Sequence, residues 1–168
     1  MTETLNLAIG DLVVRSGKIL KVSQIKKDTI NLRPFFHIKT SNGLTFTLML
    51  AHTNDGHIRR LASKNKIGKL LKLIIKKPTV GNNNLDFDPK TALSHNQLAK
   101  TLRAIKALWQ EKQKKSGILQ GTKLTVFRQA MLQATEEIAA VNNTSPEEVK
   151  LSILSGLEFS QKANLHKI

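Results

Sequence analysis

The sequence predicts an α+β chain: a small, bent antiparallel β-sheet over the first sixty residues, then a compact all-α domain. Three observations predict it. Apolar residues recur with a period near two as far as Leu50, and with a period near 3.6 after residue 58. Asn42-Gly43 lies between two β-rich runs, and this pair tolerates the positive φ that a tight hairpin turn requires. Ser145-Pro146-Glu147-Glu148 reads as a helix start: Ser145 caps, Pro146 suits the first helical position and Glu148 closes a capping box.

The strands come first. Asp11-Leu12-Val13-Val14-Arg15 is a β-branched run closed by Ser16-Gly17. Ile19, Leu20, Val22 and Ile25 follow, with Lys and Ser between them. Phe35-Phe36-His37-Ile38-Lys39 and Leu44-Thr45-Phe46-Thr47-Leu48 flank Ser41-Asn42-Gly43 and read as a third and a fourth strand. Four short strands in about fifty residues predict a strongly bent antiparallel sheet or a small Tudor (SH3)-like barrel.

The helices follow. Leu61, Ile67, Leu70, Leu71 and Ile74 share one helical face, and Pro78 ends that helix because proline disfavours helical geometry in the residue before it. Thr79 to Pro89 has loop composition and reads as a linker. Three helices are predicted beyond it. Leu98, Leu102, Ile105, Leu108 and Trp109 trace the stripe of one, which Gly117 breaks. Leu124, Phe127, Met131, Ala134, Ile138 and Val141 trace the next, and Val149, Ile153, Leu154 and Leu157 the last. The tail after Glu158 reads as frayed. The boundaries are therefore 1–60 for the sheet domain, 61–89 for a connecting helix and linker, and 90–168 for the helical domain.

Charge speaks about partners. The chain carries 27 Lys+Arg against 12 Asp+Glu, a net charge of +15, which draws it to phosphate-rich polymers, to acidic proteins or to an anionic membrane. The excess is uneven. Arg59, Arg60, Lys64, Lys66, Lys69, Lys72, Lys76 and Lys77 form one run without an acid. A second block holds Lys100, Arg103, Lys106, Lys112, Lys114, Lys115, Lys123 and Arg128 against Glu111 alone. Solvated faces usually mix signs, so acid-free runs on amphipathic helices point to nucleic-acid phosphates rather than to solubility. The second block is the predicted DNA-binding set. It would track phosphates with little base reading, because no groove-reading motif is present.

Other classes are disfavoured. The polar stretch from Met1 to Asn6 has no basic region leading into an apolar run. Ile67 to Ile75 is interrupted by Lys69 and Lys72 and is too short to span a bilayer. With no cysteine there is no disulfide framework and no thiolate metal site. A cytoplasmic, nucleoid-associated protein without a membrane partner is expected. His52 and His57 flank Asn54-Asp55-Gly56, but no further ligand has metal-site spacing. Glu136/Glu137 and Glu147/Glu148 read as solvent-face or first-turn acids. Ser152 and Ser155 lie near Gly156 without the strand–turn–helix setting of a nucleophile elbow. The expectation is a binding protein, not an enzyme, with no cofactor and no metal.

The order of elements resembles the CarD/CdnL-type RNA polymerase-binding transcription regulators. Ile9-Gly10-Asp11-Leu12-Val13-Val14, with Gly17 after it, is similar to that family's opening motif; Asn42-Gly43-Leu44-Thr45 resembles its central hairpin. His57-Ile58-Arg59-Arg60-Leu61 resembles the segment that closes its first domain, and Leu108-Trp109 the end of a later helix. The likeness runs over nearly the whole chain through short motifs. It implies a Tudor-like domain that docks on the β subunit of bacterial RNA polymerase, a helical domain on double-stranded promoter DNA, and a monomer. It places polymerase contacts at Lys26, Lys27, Phe46 and Thr47, with Thr47 standing where an arginine is usual. Better-known members carry an interdomain tryptophan as a minor-groove wedge. This chain has Asn82-Asn83-Asn84 there, and Phe87 is the nearest replacement. Phe87 packing the linker onto the helices is an equally plain reading, and the spacing of Trp109 puts it in the core. The alternatives are a stand-alone nucleic-acid-binding module and a protein-interaction adaptor without a polymerase partner.

Overall fold

The computed structural model describes residues 5–36, 43–54, 58–75, 88–114 and 117–165, with residues 52, 54 and 161–165 described as backbone only. The chain divides into two compact units, Met1–Leu61 and Ala62–Ile168. The first is a curled, five-stranded antiparallel half-barrel and the second a five-helix domain, an α+β chain as the sequence predicts.

The sheet unit contains β1 (Leu12–Arg15), β2 (Lys18–Ile25), β3 (Thr29–Pro34), β4 (Phe46–Met49) and β5 (Ile58–Arg60), with a short 3-10 turn at Leu50–Asn54. Their order in the sheet is β4-β3-β2-β1-β5. Ser16 and Gly17 both take positive φ, 49° and 76°, which is what a two-residue hairpin between Arg15 and Lys18 demands. The β2–β3 register shifts between Val22 and Gln24. The extra residue, Ser23, donates its hydroxyl to the Asn31 carbonyl at 3.0 Å. Such a bulge sharpens the local twist and helps the sheet curl. Val13, Leu20, Val22, Ile30, Leu32 and Ile58 form the core, with Phe46 and Leu48 packed against it.

Two strand assignments change. The third strand is Thr29–Pro34, not Phe35 to Lys39. Its residues alternate between half-buried and buried from Thr29 to Leu32, and Pro34 lies at its end, where a missing ladder donor costs least. Phe35 and Phe36 follow in a bend and meet edge-on, ring centroids 4.9 Å apart. Residues 37–39 lie outside the described residues, as does Asn42; Gly43 takes φ +73°. Ile58–Arg60 adds a fifth strand beside β1.

The helical unit contains α1 (Lys64–Ile75), α2 (Pro89–Ser94), α3 (Leu98–Lys114), α4 (Gly121–Asn142) and α5 (Pro146–Leu165). There are four helices after residue 88 rather than three. Asp88 accepts from the amides of Lys90 and Thr91 and Pro89 opens α2, a start the sequence displays but the loop-like stretch before it obscures. Helix α5 continues beyond Glu158 to Leu165. Pro78 lies outside the described residues.

Helix α4 packs against each of the other four helices. From Ala134 to Ala139 all six residues are buried, which one apolar stripe does not achieve. That run contains Glu136 and Glu137, at 7% and 2% exposure, which overturns the solvent-face assignment. Glu137 accepts the Ala62 amide at 3.0 Å, anchoring the chain that leads into α1. Helix α1 packs on α3, α4 and α5. A Cβ at Gly156 would stand 2.9 Å from Ile75 Cδ1, so glycine there leaves room for the end of α1.

Local caps complete the helices. The Glu148 amide donates to Ser145 Oγ at 3.2 Å, and the Ser145 amide reaches Glu148 Oε2 at 3.5 Å, the reciprocal capping box. Asn143, at φ 55°, ends α4 in the left-handed region, and the Thr144 amide returns to the Ala139 carbonyl at 3.2 Å. A cap contributes about 1 kcal/mol, whereas one fully buried Leu or Ile contributes about 1.5–3 kcal/mol. Packing on α4 therefore outweighs any single cap. Ser145→Ala should lower stability by about 1 kcal/mol in denaturant unfolding. Glu137→Ala should cost more, about 2 kcal/mol, because it leaves a backbone donor without its acceptor beside a new cavity. Equal losses in the two variants would contradict this ranking.

Candidate functional site

The eight basic residues predicted to bind DNA do different things once folded. On α3, Leu98, Leu102, Ile105, Leu108 and Trp109 face inward. At 100° per residue, Lys100, Arg103 and Lys114 fall within a narrow stripe on the opposite face. Arg103 and Lys114 are exposed and Lys100 is half-buried, while Glu111, the one acid of α3, falls about 20° from the line of Lys100, at the border of that stripe. It runs fourteen residues, about 21 Å, comparable to six base pairs of duplex.

The other cations on this block have structural work. Lys106 Nζ donates to the Leu73 carbonyl in the last turn of α1 at 3.2 Å. A cation there completes an orphan carbonyl and meets the negative end of the helix dipole. Burial holds its amine below the ordinary lysine range. Lys112 stands over the Trp109 ring, 5.1 Å from its centroid. Lys123, in the first turn of α4, pairs with Glu111 of α3 at 2.6 Å. Arg128 is exposed on another surface, a groove between α4 and α5 that Glu147 and Lys150 also line. Lys115 and Phe87 lie outside the described residues.

Trp109 is buried, 7% exposed, and stacks on Phe127 with ring centroids 6.4 Å apart. It is a core residue of the α3–α4 contact. Helix α1 adds Lys64, Lys66, Lys69 and Lys72, all exposed and without an acid in the helix. Ile67 and Ile74 are buried on its other face. The Lys106–Leu73 bond joins α1 to α3. No spacing in the sequence announces that bond, because its partners are 33 residues apart.

At the α2 start, the Asp88 carboxyl is held below the ordinary carboxylate range by the Thr91 hydroxyl, then by the Thr91 and Lys90 amides. With the folded value depressed, this cap is fully present above the unfolded value. It is lost as pH falls through the folded one.

In the sheet unit, β4 is an edge strand. The Leu50 amide donates to Asp28 at 2.9 Å, and bonded pairs alternate along an antiparallel ladder. Thr47 and Met49 therefore turn their amides and carbonyls toward the outer edge. The Thr47 hydroxyl donates to Asn31 Oδ1 at 2.9 Å, and Asn31 Nδ2 donates to Gln24 Oε1 at 3.0 Å, a polar row across three strands. Phe46 packs on the core cluster instead. The Leu50–Asp28 bond also sets the β2–β3 turn, with exposed Lys26 and Lys27, beside the end of β4.

Among the described residues, no cluster of His, Cys, Asp or Glu could hold a metal ion, and no helix is long and apolar enough to cross a membrane. Compared with models of known protein families and with curated proteins, the chain matches none.

Replacing Lys100, Arg103 and Lys114 together by Ala should weaken binding to a random duplex. The log–log salt slope should fall in magnitude by about 2.7, since each phosphate contact accounts for about 0.9. Lys123→Ala, whose charge is already paired, should leave that slope within about 0.5 of the parent. Fluorescence anisotropy across a salt series reads both.

Proposed function

We propose that this chain is a bacterial transcription regulator that binds the β subunit of RNA polymerase through its sheet unit and promoter DNA through its helical unit. The observation that carries the DNA half is the basic stripe of Lys100, Arg103 and Lys114 on the outward face of α3, whose one bordering acid, Glu111, is paired with Lys123 at 2.6 Å. Such a face contacts phosphates in many sequences alike and reads no bases. The polymerase half rests on the resemblance to CarD/CdnL-type proteins, with which a half-barrel followed by a helical domain is compatible. Edge-strand pairing at β4 is its mechanism: backbone groups of Thr47 and Met49 extend the partner's sheet, and Lys26 and Lys27 add charge at the same end.

A proline at position 47 removes one outward amide and the hydroxyl bond to Asn31, while leaving the backbone ladder from β4 to β3 in place. Core RNA polymerase captured on immobilised full-length chain tests the proposal. Thr47→Pro should reduce capture at least tenfold at elevated salt and leave duplex affinity unchanged. The α3 triple variant should do the reverse. If capture instead follows the triple variant and vanishes as salt rises, the protein is a stand-alone nucleic-acid module and the polymerase half falls.

A further inference from the structure

The sheet unit has a second surface, on the exposed face of β2 and β3. Lys21 on β2 and Arg33 on β3 are direct cross-strand partners. Side chains so opposed have Cβ atoms about 5 Å apart, and like charges in that position repel unless an anion lies between them. Both are exposed. They line a groove of about 510 Å³ with Ile9, Gly10, Phe35 and Leu44, and among the described residues no acid lines it. The two acids among the described residues of this unit are elsewhere. Asp11 pairs with Arg60 at 3.6 Å and accepts the Ala8 amide at 3.0 Å, while Asp28 lies in the β2–β3 turn.

The flanks of the groove are apolar. Ile9 is 66% exposed and Leu44 49%, large side chains left in water on either side of two cations. We infer that this groove docks an acidic peptide segment of a partner protein, a carboxylate seated between Lys21 and Arg33 and flanking apolar side chains on Ile9 and Leu44. Nucleic acid fits it less well. A phosphate chain has nothing to place on Ile9 and Leu44, and base stacking needs an open aromatic face, whereas Phe35 is half-buried and turned edge-on to Phe36. The inference does not depend on the polymerase reading, since an acidic segment of any partner satisfies it.

Three amidated octapeptides test it on the ¹⁵N-labelled full chain by amide shift titration: alternating Leu/Glu, Leu/Gln and Ser/Glu. The Leu/Glu peptide should bind at least tenfold more tightly than either control. Its shifts should centre on Lys21, Arg33 and Leu44, and the double variant K21Q/R33Q should lose at least tenfold in affinity. Gln at both exposed positions preserves the strands, and an unchanged spectrum elsewhere verifies the fold. Equal binding of the Ser/Glu peptide, or shifts centred on α1 and α3, would mean charge attraction alone and sink the proposal. A 12-base-pair duplex that shifts the same groove amides and displaces the Leu/Glu peptide would overturn it in favour of nucleic acid.

Discussion

Helix α4 is buried around its whole circumference between Ala134 and Ala139, and the helical unit is arranged by the need to cover it. Four helices do so. Ala130, Ala134 and Ala139 keep its surface low, so neighbours come close and the apolar area removed from water is large for a short bundle. Burying Glu137 in that surface has a desolvation cost, offset where its carboxylate takes the Ala62 amide. The bond also fixes the entry to α1 and, with it, the position of the first basic helix.

The same packing sorts the cations. A net charge of +15 treats every lysine alike, but three of the predicted set are held by a carbonyl, an indole ring and a carboxylate. What remains toward solvent on α3 is a narrower stripe than the sequence block. Charge spent on the fold contributes little to phosphate contact, because a cation already paired releases fewer counterions when DNA arrives.

In the sheet unit, the curl follows from strand twist and the Ser23 bulge. An open half-barrel keeps two edge strands, β4 and β5. Edges are liabilities unless paired or charged. Arg59 and Arg60 lie on one, and the outward backbone of Thr47 and Met49 lies on the other. Lys21 and Arg33 face each other across two interior strands, where a one-residue change of register would have separated them.

Local chemistry was legible in the sequence. The two-residue turn at Ser16-Gly17, the switch of period near residue 58, the α3 stripe and the capping box at Ser145 each depend on residues a few positions apart. The sequence by itself therefore determined the fold class, the order of its halves and the core position of Trp109. Tertiary structure decided the rest. Strand β3 was hidden because Phe35-Phe36 has the stronger β composition, yet pairing with both β2 and β4 selects Thr29–Pro34. Glu136 and Glu137 are indistinguishable from surface acids until α4 is covered on every side. Which lysines still face water depends on partners as distant as Leu73 from Lys106, or Ala62 from Glu137, 75 residues apart. Periodicity says which face of an element is apolar; only packing says what covers the others.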